Sequence, residues 1–107
     1  THRDFVYVDD VIDALLLCVR RKVSGIFNIG YGREYSVKEV YNKILKISKR
    51  KFAANWGKEE SRIYEPIHWR ADIRLAKNVL GWKPKNTLRL GLEKTYLWFR
   101  KNYKYYI

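Results

Sequence analysis

Two segments decide the fold of this chain, Arg3-Asp4-Phe5-Val6-Tyr7-Val8-Asp9-Asp10-Val11 and Phe27-Asn28-Ile29-Gly30-Tyr31-Gly32. In the first, strand-favouring residues from Phe5 to Tyr7 run into two aspartates, which favour the start of the apolar helix that follows. In the second, a short apolar strand ends in Gly30-x-Gly32, where the chain must turn tightly with φ angles that other residues resist. Each segment therefore joins a backbone turn to a polar side chain, Arg3 or Asn28, at the margin of a strand, where it can reach a ligand.

The composition indicates one small folded domain. The 107 residues are 47% hydrophobic and 16% aromatic, which suits a modest core and argues against disorder. The single Cys18 excludes a disulfide framework and favours a reducing, cytoplasmic location. No apolar run approaches the ~18 residues of a membrane-spanning helix, and no signal-peptide pattern is present, so we expect no membrane partner.

The formal charge of +12 invites comparison with nucleic-acid-binding proteins, because a basic surface attracts phosphate backbones. Lys and Arg are scattered along every segment, however, as they are on solvated faces. Only two clusters stand out, Lys46-Lys49-Arg50-Lys51 and Arg100-Lys101-Lys104. We therefore do not expect a nucleic acid as the partner, and a basic nucleic-acid-binding domain is kept only as an alternative.

Hydrophobic periodicity predicts an α+β domain, a small, mostly helical lobe with a few short strands. Four helices are expected, which begin at Asp9 or Asp10, Val37, Ile73 and about Thr87 and end near Arg21, Lys49, Leu80 and Lys101. Ser36 and Glu39 form the capping box of the second helix. Asp72 is the expected N-cap and Gly81 the left-handed C-cap of the third. A short buried strand is expected from Gly25 to Gly30.

A metal site is not expected. Asp4, Asp9 and Asp10 lack the glycine and the downstream glutamate of a calcium loop. His2 and His68 have no cysteine or acidic partner at the spacing of zinc ligands. The aspartates are interpreted as helix caps.

The two opening segments resemble the C-terminal part of the NAD-dependent nucleotide-sugar epimerases and dehydratases, the extended short-chain dehydrogenase/reductases that include UDP-glucose 4-epimerase. That family carries R-D-[FYW]-x-[YH]-V-x-D, [FY]-N-[ILV]-G-x-G followed by [ST]-[VI]-x-E, an arginine loop before A-D, and L-G-W-x-P. These elements occur here in order as Arg3 to Asp10, Phe27 to Gly32, Ser36 to Glu39, Arg62 to Glu65 before Ala71-Asp72, and Leu80 to Pro84. The resemblance implies that residues 1–107 form one C-terminal nucleotide-sugar-binding lobe of a Rossmann-type fold, whose N-terminal NAD-binding domain is absent from this chain.

The resemblance also implies a set of substrate-binding residues: Arg3, Phe5, Asn28, Arg62 and Glu65. Guanidinium forks match phosphate oxygens bidentately, so Arg3 and Arg62 would hold a diphosphate while Glu65 accepts hydrogen bonds from ribose. In the family the asparagine lies near the nucleotide and the aromatic residue packs against the ligand. The residues alone leave ordinary roles open: two surface arginines, a salt bridge from Glu65 to a neighbouring cation, an asparagine that satisfies the glycine turn, and a phenylalanine in the core.

The family's chemistry-bearing motifs are missing. Nothing matches the Gly-rich NAD fingerprint, and none of the nine tyrosines has a lysine four residues on, as the family's Y-x-x-x-K base requires. We therefore expect no catalytic residue here and no NAD bound by this chain alone, although the whole enzyme would use NAD to oxidise the sugar at C4. The expected function is nucleotide-diphosphate-sugar binding within an NAD-dependent epimerase or dehydratase, completed by the missing Rossmann domain or a partner chain. A non-catalytic binding or interaction module is the alternative.

Overall fold

The computed structural model describes residues 1–57 and 62–107. In chain order its elements are β1 (His2–Asp4), α1 (Val8–Arg21), β2 (Glu34–Ser36), α2 (Val37–Ser48), a π-helical segment (Ala76–Leu80), α3 (Leu88–Asn102) and a 3-10 turn (Tyr103–Tyr105). The predicted α+β class is confirmed, since helices dominate and β1 and β2 form a single two-stranded sheet among the described residues. Within the same residues, no helix has both the length and the apolar character needed to cross a bilayer.

The strand β1 is flanked on both sides by extended chain. It pairs antiparallel with β2, so that Arg3 lies opposite Tyr35. On its other edge, the N–H of His2 donates to the carbonyl of Ile67 at 2.6 Å, and the N–H of Trp69 donates to the carbonyl of His2 at 3.2 Å. Arg3 is therefore at the centre of the small sheet. The strand predicted from Phe5 to Tyr7 is wrong, because the ladder ends where Asp4 meets Glu34.

The strand predicted from Gly25 to Gly30 is also wrong. Its side chains do alternate as in a strand, since Phe27 and Ile29 pack against the core while Ile26 is 92% exposed. No strand pairs with this segment among the described residues, however, so it remains extended chain without a ladder. Periodicity alone reports which side is buried and cannot supply a hydrogen-bonding partner.

The core lies between α1 and the segment that carries the π-helical turn. Its buried side chains are Ala14, Ile73, Ala76, Leu80 and Trp82. The predicted third helix is confirmed: helical residues run from 74 to 80, and those of Ala76–Leu80 are π-helical. Asp72 Oδ1 accepts a hydrogen bond from the Arg74 N–H at 3.1 Å, and Gly81 ends the helix at φ 67°. The predicted first, second and fourth helices are confirmed with ends shifted by one or two residues.

Asp10 is buried, with 1% of its surface exposed. Its Oδ1 accepts hydrogen bonds from the Lys85 N–H (3.0 Å) and Asn86 Nδ2 (3.1 Å), and its Oδ2 accepts one from the Asn86 N–H (3.1 Å). Trp82 Nε1 donates to the Asp10 carbonyl at 2.9 Å. The interpretation of Asp10 as a helix cap is wrong, because α1 begins after Tyr7 without a side-chain cap. Asp10 instead joins α1 to the loop before α3.

The predicted capping box of α2 is confirmed. Ser36 Oγ accepts from the Glu39 N–H at 3.0 Å, and Glu39 Oε2 accepts from the Ser36 N–H at 2.7 Å. The Ser36 backbone N–H, and then its hydroxyl, lower the pKa of Glu39 from its ordinary value of 4.5. The stabilisation from the charged carboxylate is therefore complete above that value and is lost as the pH falls through the lowered pKa.

Removal of the Ser36 hydroxyl should destabilise the start of α2. We expect Ser36→Ala to lower the free energy of unfolding by about 1 kcal/mol, because one N–H at the start of α2 loses its partner. Urea denaturation followed by circular dichroism measures this change. Ser36→Thr keeps the oxygen and is the control; equal losses in both variants would contradict the capping role.

Candidate functional site

The Arg3 guanidinium is held in place by contacts on several sides. Its Nη1 donates to the carbonyls of His2 and Pro66, both at 2.8 Å, and its Nη2 donates to Glu65 Oε1 at 2.6 Å. Its Cζ lies 5.7 Å from the centroid of the Trp69 ring. The Arg3 side chain is 22% exposed, and its Nε–H and second Nη2–H have no partner among residues 1–57 and 62–107. The guanidinium is thus held in place while two of its N–H donors remain available to a ligand.

The loop from Arg62 to Glu65 supplies two of the predicted binding residues. The Glu65 N–H donates to the Arg62 carbonyl at 3.0 Å, which closes a tight turn. The structure therefore brings Glu65 to Arg3 and places Arg62, with an exposed side chain, at the other end of the same turn. The salt bridge that the sequence left open for Glu65 is present, and its cation is Arg3.

Asp4 organises the backbone around this arginine. Its Oδ1 accepts from the Tyr31 N–H at 2.6 Å, and its Oδ2 accepts from the N–H groups of Gly32 (2.8 Å) and Ala71 (3.1 Å). A Cβ atom on Gly30 would lie 2.6 Å from the Ala71 Cβ and 2.9 Å from Asp4 Oδ2, so only glycine fits there. One carboxylate therefore ties β1 to the glycine turn and to the segment after Trp69.

The interpretation of Asp4 as a helix cap is accordingly wrong, and its role at the site was missed. The available signal was the pairing of an aspartate beside Arg3 with a Gly30-x-Gly32 turn, whose backbone N–H groups need an acceptor. Nothing in the sequence indicated that the Ala71 N–H, far along the chain, would share it.

Asn28 and Phe5 line cavities different from the one that Arg3 lines. Asn28 is exposed and lines a cavity of about 400 Å³ with residues of the third helix. Phe5 is half-buried and lines a separate cavity of about 300 Å³ against the first turns of α3. Arg3 lines a third cavity, of about 260 Å³, with Gly30 and Trp69. The described residues thus bring Arg3 and Glu65 together, whereas Asn28 and Phe5 line cavities other than that of Arg3.

An exposed ion pair lies on the rim of the Asn28 cavity. Arg74 donates from Nε to Asp72 Oδ1 at 3.0 Å and from Nη2 to Oδ2 at 2.7 Å. The side-chain hydrogen bonds from Arg74 lower the pKa of Asp72 to about 2, and the same pairing raises the pKa of Arg74. The pair therefore has no net charge at neutral pH.

No set of three or more His, Cys, Asp and Glu side chains is arranged to hold a metal ion in the part of the chain that the structure describes. His68 Nδ1 instead pairs with Glu34 Oε1 at 2.8 Å, and its ring stacks on that of His2 with centroids 4.7 Å apart. These two histidines hold the sheet edges together.

Comparison with known proteins identifies the family. Residues 1–95 match the family model described as GDP-mannose 4,6 dehydratase. The chain belongs to the NAD-dependent nucleotide-sugar epimerase and dehydratase family. A putative UDP-glucose 4-epimerase of Methanocaldococcus jannaschii is 38% identical over 101 residues, which cover 94% of this chain and 32% of that protein. The resemblance inferred from the motifs is confirmed.

Solved structures of this epimerase and dehydratase family share the fold. The Bordetella bronchiseptica enzyme WbmF, in complex with NADH, aligns with a TM-score of 0.78 at 26% identity over 97% of this chain and 31% of that chain. UDP-glucose 4-epimerase of Thermotoga maritima, with UDP-glucose, aligns with a TM-score of 0.70 at 34% identity over 94% of this chain and 32% of that chain. The chain therefore spans about 30% of the length of the family members that it matches.

The family's NAD does not fit the glycine turn of this chain. A dinucleotide fingerprint binds pyrophosphate with free backbone N–H groups at a helix start. Here the N–H groups of Tyr31 and Gly32 already donate to Asp4, and no helix begins at this turn. That NAD is bound by family residues outside this chain remains a prediction.

Proposed function

We propose that this chain is the nucleotide-diphosphate-sugar-binding lobe of an NAD-dependent epimerase or dehydratase, and that it supplies binding rather than bond-breaking groups. The observation that carries the proposal is the Arg3 guanidinium, held by the carbonyls of His2 and Pro66 before any ligand arrives. A side chain fixed in this way loses little conformational freedom on binding, and its fork matches phosphate oxygens.

Glu65 can serve this site without leaving Arg3. Its Oε1 is engaged with Arg3, while its Oε2 has no hydrogen-bond partner among the described residues. A carboxylate accepts bonds at both oxygens, so Oε2 is open to a ribose hydroxyl. We assign Arg3 and Arg62 to the two phosphates and Glu65 to the ribose. Asn28 and Phe5 complete the proposed set, beside the nucleotide and against the ligand.

The chemistry of the sugar would come from a Rossmann domain outside these residues or from a partner chain. NAD bound there would oxidise the sugar at C4. Within this lobe, Arg3 of β1 and Arg62 of the loop that ends at Glu65 would hold the diphosphate and leave the sugar free to turn. The lobe would thus fix one end of the substrate and let the other end move.

An exposed apolar stripe on α1 supports the proposal that another domain packs against this helix. Val8, Leu15 and Val19 are 59%, 62% and 76% exposed, and Ile12 and Leu16 are exposed between them. These positions recur at helical spacing on the side of α1 opposite Ala14, which is buried in the core. An apolar stripe of this kind marks a surface that another protein body covers, and an NAD-binding domain of the family's kind is the occupant that we propose.

Titration with nucleotides tests the function. We expect this chain to bind UDP, dTDP or GDP, and we expect Arg3→Ala to weaken that binding on the order of tenfold or more, because a charge-assisted fork is lost. Calorimetry, with saturation-transfer NMR for weak binding, measures the affinity. Arg89→Ala is the matched control, because Arg89 is also paired with a glutamate, Glu93, on the exposed surface of α3. Equal affinities of the parent and Arg3→Ala would sink the proposal and favour an interaction module.

A second arm of the same titration separates the roles of Arg3 and Glu65. Glu65→Gln removes the charge that competes for Arg3, so inorganic pyrophosphate should bind at least as well as before. Nucleoside diphosphates should bind more weakly, because a ribose contact is weakened. If both ligands weaken equally, Glu65 acts only by holding Arg3.

A further inference from the structure

We propose that the C-terminal ends of α2 and α3 form a groove that binds single-stranded nucleic acid, with Arg50 and Arg100 on its phosphates and aromatic rings on its bases. This groove is separate from the site at Arg3. The proposal does not rest on the sugar-nucleotide function, and either can fail without the other.

The groove is formed where α2 packs against α3. It has a volume of about 550 Å³ and is lined by Arg50, Tyr96, Phe99, Arg100 and Tyr103. Arg50 and Arg100 belong to the two basic clusters that stand out in the sequence, half the chain apart. The sequence argued against a nucleic acid because Lys and Arg are scattered along every segment, as they are on solvated faces. The fold places them on one groove.

The two stretches of chain that supply the lining of the groove contain basic residues and no acidic ones. No Asp or Glu occurs from Val40 to Gly57 or from Lys94 to Ile107, whereas the two stretches contain Lys43, Lys46, Lys49, Arg50, Lys51, Lys94, Arg100, Lys101 and Lys104. Among the described residues, neither Arg50 nor Arg100 forms a salt bridge. Their charges are therefore not neutralised within this part of the chain, and they attract a polyanion.

Aromatic rings are concentrated at the same end of the molecule. Tyr103 and Tyr105 are 60% and 73% exposed. Trp98, Phe99 and Tyr106 pack on one another with centroids 5.2 to 5.9 Å apart, which orders the rings in advance. Bases stack on such rings regardless of sequence, and arginines along the groove follow the backbone.

The concave shape favours a single strand over other polyanions. A duplex keeps its bases stacked inside and offers only phosphates to this surface, and a lipid bilayer is too flat to enter a groove between two helices. The match to the family model ends at residue 95, before the groove's aromatic residues. The groove is thus built largely outside the region by which the family is recognised.

Fluorescence anisotropy of labelled oligo(dT) and oligo(U) twelve-mers tests the proposal. We expect saturable binding by the full chain that weakens as salt rises, by about 0.7 in log K per log salt for each neutralised phosphate. Arg50→Gln with Arg100→Gln should weaken binding on the order of tenfold and reduce the salt slope by about 1.4. Arg20→Gln with Lys38→Gln removes the same charge elsewhere and should change the affinity by less than about twofold.

The stacking contribution is tested at Tyr103. Tyr103→Leu keeps an apolar side chain and removes the ring face, so binding should weaken by about fivefold, the lower end for one stacked base. Tyr64→Leu, at an exposed tyrosine in the Arg62 loop, is the control. Unchanged circular dichroism confirms that both variants fold, and unchanged oligonucleotide binding in Arg3→Ala confirms that the sites are separate.

The proposal is overturned if the parent chain does not bind the oligonucleotides, or if Arg20→Gln with Lys38→Gln weakens binding as much as Arg50→Gln with Arg100→Gln. It is also overturned if UMP competes as effectively as oligo(U), or if the chain binds phosphatidylglycerol vesicles and no oligonucleotide. The last result would mean that the same charges and rings serve a membrane surface instead.

Discussion

Replacement of Asp10 by alanine should remove most of the stability of this chain. The carboxylate accepts three hydrogen bonds from Lys85 and Asn86 at a position that is 1% exposed. In Asp10→Ala the two Asn86 donors lose their acceptor while they stay buried, and the part-buried Lys85 N–H loses its acceptor as well. Each donor left in this state costs about 1–3 kcal/mol, so we expect a total loss of about 4 kcal/mol. The free energy of unfolding of a small domain is about 5 kcal/mol or slightly more. A large part of the Asp10→Ala variant should therefore be unfolded or close to unfolding.

Urea denaturation of Asp10→Ala and Asp10→Asn measures this effect. Asp10→Asn keeps one acceptor oxygen but turns an amide toward the N–H of Asn86, so its stability should lie between those of alanine and the parent. Asp9→Ala is the matched control, since Asp9 is the adjacent residue in the first turn of α1 and is exposed. A similar, small loss in Asp9→Ala and Asp10→Ala would show that Asp10 acts only through the helix dipole.

Replacement of Asp4 should affect both stability and ligand binding. Asp4 holds the N–H groups of Tyr31, Gly32 and Ala71, and its side chain is half-buried. Three charge-assisted bonds are lost in Asp4→Ala, partly replaced by water, so we expect a loss of about 3 kcal/mol. The segment that carries Trp69, which leads into Ala71, should shift from Arg3, and nucleotide affinity should fall with it.

Hydrogen exchange locates this effect. In the parent, the amides of Tyr31, Gly32 and Ala71 should be protected, and Asp4→Ala should expose all of them together. Asp13→Ala is the control, because Asp13 is an aspartate of α1 with only a long contact of 3.8 Å to Lys85. Continued protection of those three amides in Asp4→Ala would show that another group holds the turn.

The helices of this chain could be predicted because their signals are local. The ends of α2 follow from apolar spacing and from Ser36 and Glu39, three residues apart, which form the observed box. Gly81 ends the third helix because the chain must adopt a positive φ there. Each of these features depends on residues within a few positions of one another.

The features that were missed depend on long-range contacts. Asp10 is bonded to backbone far ahead of it in the chain, and nothing near Asp10 indicates that partner. The extended segment from Gly25 to Gly30 has the alternation of a strand, and only the fold shows that no neighbouring strand pairs with it among the described residues.

The residues of the candidate site could be predicted where they belong to a family motif. The contacts among them could not, because these depend on how distant parts of the chain pack. The pattern named Arg3 and Glu65, which the structure brings into contact. It did not show that they bind each other in the free chain, because that depends on where the loop from Arg62 returns to β1. The groove at Arg50 and Arg100 depends on how α2 packs against α3, which no stretch of sequence specifies.

The hydrogen bond from Trp82 to the carbonyl of Asp10 joins the first sequence signature of the family to the last. Asp10 closes the R-D-[FYW]-x-[YH]-V-x-D pattern, and Trp82 is the aromatic centre of L-G-W-x-P. These two signatures are in direct contact in the folded lobe, although they lie at opposite ends of the recognisable sequence. A relative in which one signature changed would need a compensating change in the other to keep α1 packed against the segment that carries Trp82.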